Sequence, residues 1–183
     1  MHRTMRLWVL ILGIFSTFAA SSAISVANAY GEVEMGSDDL PPPSGNVVLV
    51  IDGAINRSND AGAAHLDIEM IGSLPAHSLS TTTAVTDGIR QFDGFLMRDV
   101  LRLVDAQGKM VRAQALNNYS VEIPIADFHD YDVLLATHMD GKKLLPSGKG
   151  PFWIVYPRDD WRQLQDIRYD YRWVWQLHRL TVK

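Results

Sequence analysis

Residues 149–157 read Lys149-Gly150-Pro151-Phe152-Trp153-Ile154-Val155-Tyr156-Pro157. Five consecutive apolar residues stand between two prolines. Such a run is too short for a stable helix, because isolated helices need about 12–15 residues. It does not alternate, so both of its faces are buried. That combination predicts a central strand of a sheet covered on both sides. The rest of the chain is read outward from this strand.

Towards the C-terminus, 159–167 suits a short helical turn. The segment 173–182 begins with strand alternation, Trp173, Trp175 and Leu177 sharing one face. Leu180 and Val182 fall on the opposite parity, so a bulge near His178-Arg179 is expected. Towards the N-terminus, 133–139 is a strand candidate followed by the hairpin signal Asp140-Gly141. The stretches 111–116 and 119–125 alternate and are separated by Asn117-Asn118. Pro124 predicts that the second strand ends near there or lies at a sheet edge. Leu96, Met97, Val100, Leu101 and Val104 recur with helical spacing, with Arg98, Asp99 and Arg102 on the other face.

Further upstream, 78–83 is polar but β-branched and predicts a strand, with a turn at Asp87-Gly88. Asp67 is placed to cap a short helix carrying Ile68, Met70, Ile71 and Leu74, ended by Pro75. The β-branched run 47–51 before Asp52-Gly53 reads as a buried strand and a turn. Many strands with two or three short helices predict an α+β, strand-rich fold rather than a doubly wound parallel sheet.

The first 29 residues have the form of a secretory signal. Arg3 and Arg6 precede an apolar run over 7–18, and Ala27-Asn28-Ala29 fits a cleavage site. The run is shorter than the roughly 20 residues of a membrane span. The sequence therefore predicts export to the periplasm or beyond, with no membrane span after cleavage. Residues 30–46, with Pro41-Pro42-Pro43, read as an extended linker of low order. Residues 47–183 form one domain, large enough for a single core.

The chain carries 17 basic and 21 acidic residues and no cysteine. Loss of the signal would remove two arginines and leave a net charge of about −6, which excludes nucleic acid as a natural partner. Export permits disulfides, yet none can form, so the core alone must hold the fold. No zinc-protease, P-loop, dinucleotide or nucleophile-elbow motif is present. His129 with Asp127, Asp130 and Asp132 is a local acid–histidine cluster, read as a solvated turn. No metal ligand or catalytic residue is assigned.

Four segments, taken in order, resemble the oxidoreductase molybdopterin-binding family, which has the sulfite-oxidase-type fold. Phe92-Asp93-Gly94-Phe95-Leu96-Met97-Arg98-Asp99-Val100-Leu101 is similar to its F-x-G-x-x-L-x-D-V-L turn and helix. The stretch 113–124 (AQALNNYSVEIP) is similar to A-x-A-x-x-x-Y-x-x-x-I-P. The stretch 133–141 (VLLATHMDG) resembles a strand and turn of the family, and Lys149 to Pro157 resembles G-G-P-x-R-x-V-x-P. The likeness covers about two thirds of the chain that would remain after loss of the signal. It implies a molybdopterin-binding core and, by analogy, oxidoreductase activity.

The departures fall where the cofactor attaches. The family's metal-binding cysteine is expected near 78–83, and this chain has Thr81-Thr82-Thr83-Ala84. A hydroxyl is a harder ligand than a thiolate and stays protonated at neutral pH. The family's arginine falls at Trp153, an indole in place of a planar cation. The resemblance places Thr81, Thr82, Thr83, Asp87, Asn117, Asn118, Tyr119 and Trp153 at the family's cleft, as candidates for binding a small polar ligand. The bland readings are a half-exposed strand for the threonines and a turn for the asparagines.

The densest aromatic and basic tract runs from Arg158 to Trp175. Arg168, Tyr169, Arg172 and Trp173 are its candidates for stacking a planar ligand or anchoring a periplasmic or membrane protein partner. The sequence thus predicts an exported protein without a molybdenum centre, which binds a small ligand or a protein. The alternative is a molybdopterin-dependent oxidoreductase whose cofactor is attached without cysteine.

Overall fold

The computed structural model describes residues 39–183. The expected signal segment and most of the expected linker lie outside the described residues. The strands are β1 (Leu49–Gly53), β2 (Ala64–Leu66), β3 (Ala76–Thr83), β4 (Thr86–Leu96), β5 (Met110–Ala115), β6 (Ser120–Pro124), β7 (Leu134–Met139), β8 (Lys142–Lys143), β9 (Phe152–Val155) and β10 (Trp175–Val182). The helices are α1 (Ile68–Gly72), α2 (Met97–Leu103), α3 (Ile125–Asp130) and α4 (Ile167–Asp170), with a 3₁₀ turn at Arg162–Gln165. The fold is α+β and strand-rich.

The prolines bracketing β9 mark the centre of the sheet. Its order is β2-β1-β10-β9-β7-β4-β3, and all four residues of β9 are buried. β9 pairs antiparallel with β7 through Leu135↔Ile154 and Ala136↔Trp153, and with β10 through Trp175↔Trp153. β10 serves three neighbours. Its first half pairs with β9, its second half pairs parallel with β1, and β5 lies along its other edge. Against β5 the register of β10 shifts between Leu177 and Arg179. This is the bulge expected from the change of parity.

α2 follows the expected helical spacing, with Met97, Val100 and Leu101 buried. α1 begins as expected at Asp67, whose carboxylate accepts from Met70 N at 2.9 Å. The same carboxylate accepts from Ser44 N at 2.7 Å and Gly45 N at 2.8 Å. Those bonds hold the Asp67 pKa at about 2, the Met70 N–H being the largest cause. They also fix the end of the proline-rich segment. Leu40 is 5% exposed within the core and donates its N–H to Ser58 O. The described part of that segment is therefore anchored at Leu40, Ser44 and Gly45, while Pro41, Pro42 and Asn46 stay exposed.

Two expectations are corrected. The turn after β3 is at Ala84-Val85, not Asp87-Gly88. The Thr83 and Thr86 hydroxyls meet at 2.7 Å and Val85 N donates to Thr83 Oγ1, a hydroxyl-built turn. Asp87-Gly88 sits in a bulge of β4, where Gly88 has φ +67°. Residues Phe92 to Phe95, read as a turn, and Leu96, read as the first helical position, form the inner half of β4. Phe92, Gly94 and Leu96 alternate inward, and Gly94 marks a close strand approach: a Cβ there would lie 2.1 Å from Leu135 O.

Candidate functional site

Asp127 is the pivot of the site. It lies in α3, in a stretch whose sequence reads as a solvated turn, and it is 7% exposed. Its Oδ2 accepts from Tyr156 Oη at 2.8 Å and from Arg172 Nη1. The Arg172 guanidinium lies over the Tyr169 ring at 4.6 Å. Burial, and next the neighbouring Asp127 charge, push the Tyr156 pKa well above the ordinary tyrosine range. The result is that α4 and the turn after it are tied to the core beside β9. At the start of α4, Asp166 caps the Arg168 N–H and pairs with its guanidinium, and the Arg168 side chain is the main cause that holds the Asp166 pKa at about 2.

The segment so fixed closes one side of a cavity of about 430 Å³. Trp173, Trp175 and Tyr171 line it from the C-terminal segment, together with Ile167 and Asp170 of α4. Across from them stand Asn117 and Tyr119 of the β5–β6 hairpin, Ala115 of β5, and Ala84 and Val85 of the β3–β4 turn. Tyr119 Oη donates to Tyr171 O at 2.7 Å, joining the hairpin to the end of α4. Burial, then the nearby Tyr171, raise the Tyr119 pKa. Trp173 and Trp175 meet Trp153 edge-on at 6.2 and 6.3 Å, and Trp153 meets Phe92 at 5.3 Å. The Lys149 ammonium lies 4.2 Å from the Trp175 ring centre and 4.8 Å from that of Trp153, and its pKa is lowered by burial.

The sequence candidates divide among several roles. Asn117, Tyr119 and Trp173 come together at this cavity. Asn118 sits beside it in the turn, with φ +67°. Trp153 is fully buried behind the lining, an anchor for Trp173 and Trp175 rather than part of the surface. The threonines turn inward to the protein. Thr82 donates from both N and Oγ1 to the Asp159 carboxylate at 2.7 and 2.6 Å, and Thr81 Oγ1 accepts from Asp159 N. Thr83 builds its turn, and Asp87 is exposed on the bulge.

Arg168, Tyr169 and Arg172 line a separate open cavity of about 510 Å³ with Arg162 and Asp166. The aromatic and basic tract is thus two surfaces, not one. Ile167, Asp170 and the β3–β4 turn were not among the sequence candidates for the cleft. The signal that bore on them was the Trp173-x-Trp175 alternation, which put both indoles on one face.

His129, Asp130 and Asp132 are not gathered around Asp127. Asp132 pairs with Arg98 at 2.5 Å. Among the described residues no group of three or more histidine, aspartate or glutamate side chains is arranged to hold a metal ion. No described helix is long and apolar enough to cross a membrane.

A family model for the oxidoreductase molybdopterin binding domain matches residues 56–159. Among solved structures, the chain is similar to the sulfane dehydrogenase SoxCD from Paracoccus pantotrophus, with a TM-score of 0.55 and 18% identity. That match covers 73% of this chain and 37% of the other, and is a likeness of fold. The chain thus spans little more than a third of the protein it resembles. Comparison with curated proteins gives no match.

Proposed function

Since this chain belongs to the oxidoreductase molybdopterin-binding domain family, we propose that it uses the family's fold as an exported binding module without a molybdenum centre. The observation that carries this reading is the aromatic cavity. It lies between the β3–β4 turn, which follows the β3 residues where the resemblance places the family's metal-binding cysteine, and the hairpin at Asn117 to Tyr119. A concave, mainly apolar pocket with a few polar groups is the usual form of a small-ligand site.

The residues present do not fit the family's cofactor. No thiolate exists anywhere in the sequence, and the nearest hydroxyls, of Thr81 to Thr83, are committed to Asp159 and to the turn. The phosphate of a pterin needs cations, yet no lysine or arginine lines the cavity and Asp170 does. At the family's arginine position the fully buried Trp153 supplies packing. The chain's own residues instead hold an aromatic pocket open and rigid: Arg172 and Tyr156 through Asp127 on one side, Tyr119 through Tyr171 on the other.

The test is to purify the protein from its native exported compartment and measure molybdenum by elemental analysis together with pterin fluorescence. Molybdenum well below one atom per chain, in a folded protein, is the expected result. Stoichiometric molybdenum would refute the proposal and favour the oxidoreductase with non-cysteine attachment.

A further inference from the structure

We infer that the aromatic cavity is a site for a small organic cation of the quaternary or alkylammonium class. The inference rests on the binding-module reading and adds the charge of the ligand.

Four aromatic side chains, Tyr119, Tyr171, Trp173 and Trp175, stand in the lining. Tyr119 and Tyr171 are 43% and 60% exposed, so their ring surfaces are open to a ligand, and Trp173 lies deeper at 5%. The faces of such rings attract cations through their quadrupoles. The protein itself uses this chemistry next door, where the Lys149 ammonium lies over Trp175. Lys149 does not line the cavity.

Asp170 is the one charged residue among the lining. Its side chain is 22% exposed, and its Oδ1 is buried without a hydrogen-bond partner. Arg158 forms an ion pair with it, Nε to Oδ1 at 3.6 Å, but the two stand beyond hydrogen-bond range. The carboxylate charge is therefore only partly answered within the protein. A neutral ligand filling the cavity would strip the remaining water from Asp170 and return nothing for it, a costly burial. An anion would meet the same carboxylate with no cation in the lining to offset it. A cation replaces the lost water with an opposite charge and presents its alkyl groups to the rings. Two hydrogen-bonding groups are committed, Tyr119 Oη to Tyr171 O and Asn117 Oδ1 to Tyr119 N at 3.0 Å, while the buried Trp173 Nε1 has no partner. With the Asn117 acceptor already used, the lining offers charge and π-faces, which suits an ammonium without N–H donors.

The test uses a pair of probes of matched shape, choline and its neutral isostere 3,3-dimethylbutan-1-ol. Both are titrated into the full chain by calorimetry and tryptophan fluorescence. Choline is expected to bind about tenfold more tightly than the isostere, the size of a partly desolvated cation–π and carboxylate contribution. Asp170→Asn should weaken choline about five- to tenfold and leave the isostere unchanged or tighter. Tyr171→Leu keeps the apolar bulk of an exposed residue and the backbone carbonyl that Tyr119 uses. It should weaken choline severalfold and spare the isostere. Asp130→Asn, an exposed acid outside the cavity, should change neither.

Equal affinity for the two probes would overturn the charge assignment while leaving a binding cavity. Failure of both to bind at tens of millimolar would overturn the cation site. Equal weakening by Asp130→Asn and Asp170→Asn would assign any preference to net charge and overturn it as well. Native molybdenum content, measured separately, decides the reading beneath.

Discussion

The Asp127 pivot makes a quantitative test of how the C-terminal wall is held. Asp127→Asn keeps the shape of the side chain and removes its charge. Tyr156 can still donate to the amide oxygen, but the hydrogen bond is no longer to an anion. Arg172 is left facing a neutral group. Breaking a buried pair by removing one partner costs about 3–5 kcal/mol. The Arg172 side chain is 22% exposed, so water recovers part of that loss and about 2–3 kcal/mol is expected. Tyr156→Phe removes only one hydrogen bond to a charged acceptor, about 1.5–2 kcal/mol. For a domain of this size each kcal/mol lowers Tm by about 2–4 °C, so Asp127→Asn should melt about 4–12 °C below the parent protein. Urea unfolding followed by tryptophan fluorescence gives both values. Because the two side chains share one carboxylate, the double variant should lose at least about 1 kcal/mol less than the sum of the singles. A change within about 0.5 kcal/mol for Asp127→Asn, or strict additivity, would refute the claim that this network fixes the wall.

Three further outcomes follow from the same geometry. Above about pH 10 the unfolded chain loses a tyrosine proton that native Tyr156 keeps, so stability is complete below that pH and falls as pH rises past it. Urea midpoints from pH 9 to 11 should fall less steeply in Tyr156→Phe, with a residual slope from Tyr119 and Tyr169, whose pKa values are raised in the same direction. At the acid end, the depressed pKa of Asp67 contributes stability above the ordinary carboxylate range that is lost as pH falls from about 4 towards 2. In Asp67→Asn that part of the acid limb should be missing from thermal melts. Finally, Gly94→Ala puts a methyl group against the Leu135 carbonyl and forces β4 from β7. A loss of about 3 kcal/mol or more is expected in urea unfolding, and a near-neutral result would contradict the close approach.

Elements whose signals are local were legible in the sequence. β9 is announced by its flanking prolines, α1 by a single capping aspartate, and the bulge of β10 by a change of parity. The Asp140-Gly141 turn is also as expected, with both residues at positive φ. Elements set by distant partners were not legible. α3 has six residues, far below the length at which helix formation sustains itself. It exists because Phe128 packs into the core and Asp127 meets Tyr156 and Arg172 across 29 and 45 residues of chain. The proline-rich segment looks solvated until Asp67 is seen to gather its backbone N–H groups. The site shows the same division. Tyr119 and Trp173 carry visible chemistry and were candidates. Asp170 became interesting only once the fold placed its carboxylate beside aromatic rings, paired with Arg158 but without a hydrogen bond.

The boundary of the family match bears on what the cavity can inherit. The matched region ends at residue 159. It includes the β3–β4 turn and the Asn117 to Tyr119 hairpin, one side of the cavity, and it includes Asp127. Ile167, Asp170, Tyr171, Trp173 and Trp175 all lie beyond it, as does Arg172, which locks them to Asp127. The inner side of the pocket thus lies within the family match, while the side carrying the carboxylate, with Tyr171, Trp173 and Trp175, lies in the C-terminal segment after residue 159. Specificity is a difference of affinities set by the groups that touch the ligand. Substitutions at Asp170 and Tyr171 are then the ones expected to change which ligand is held, and substitutions at Asp127 the ones expected to change how firmly the pocket keeps its shape.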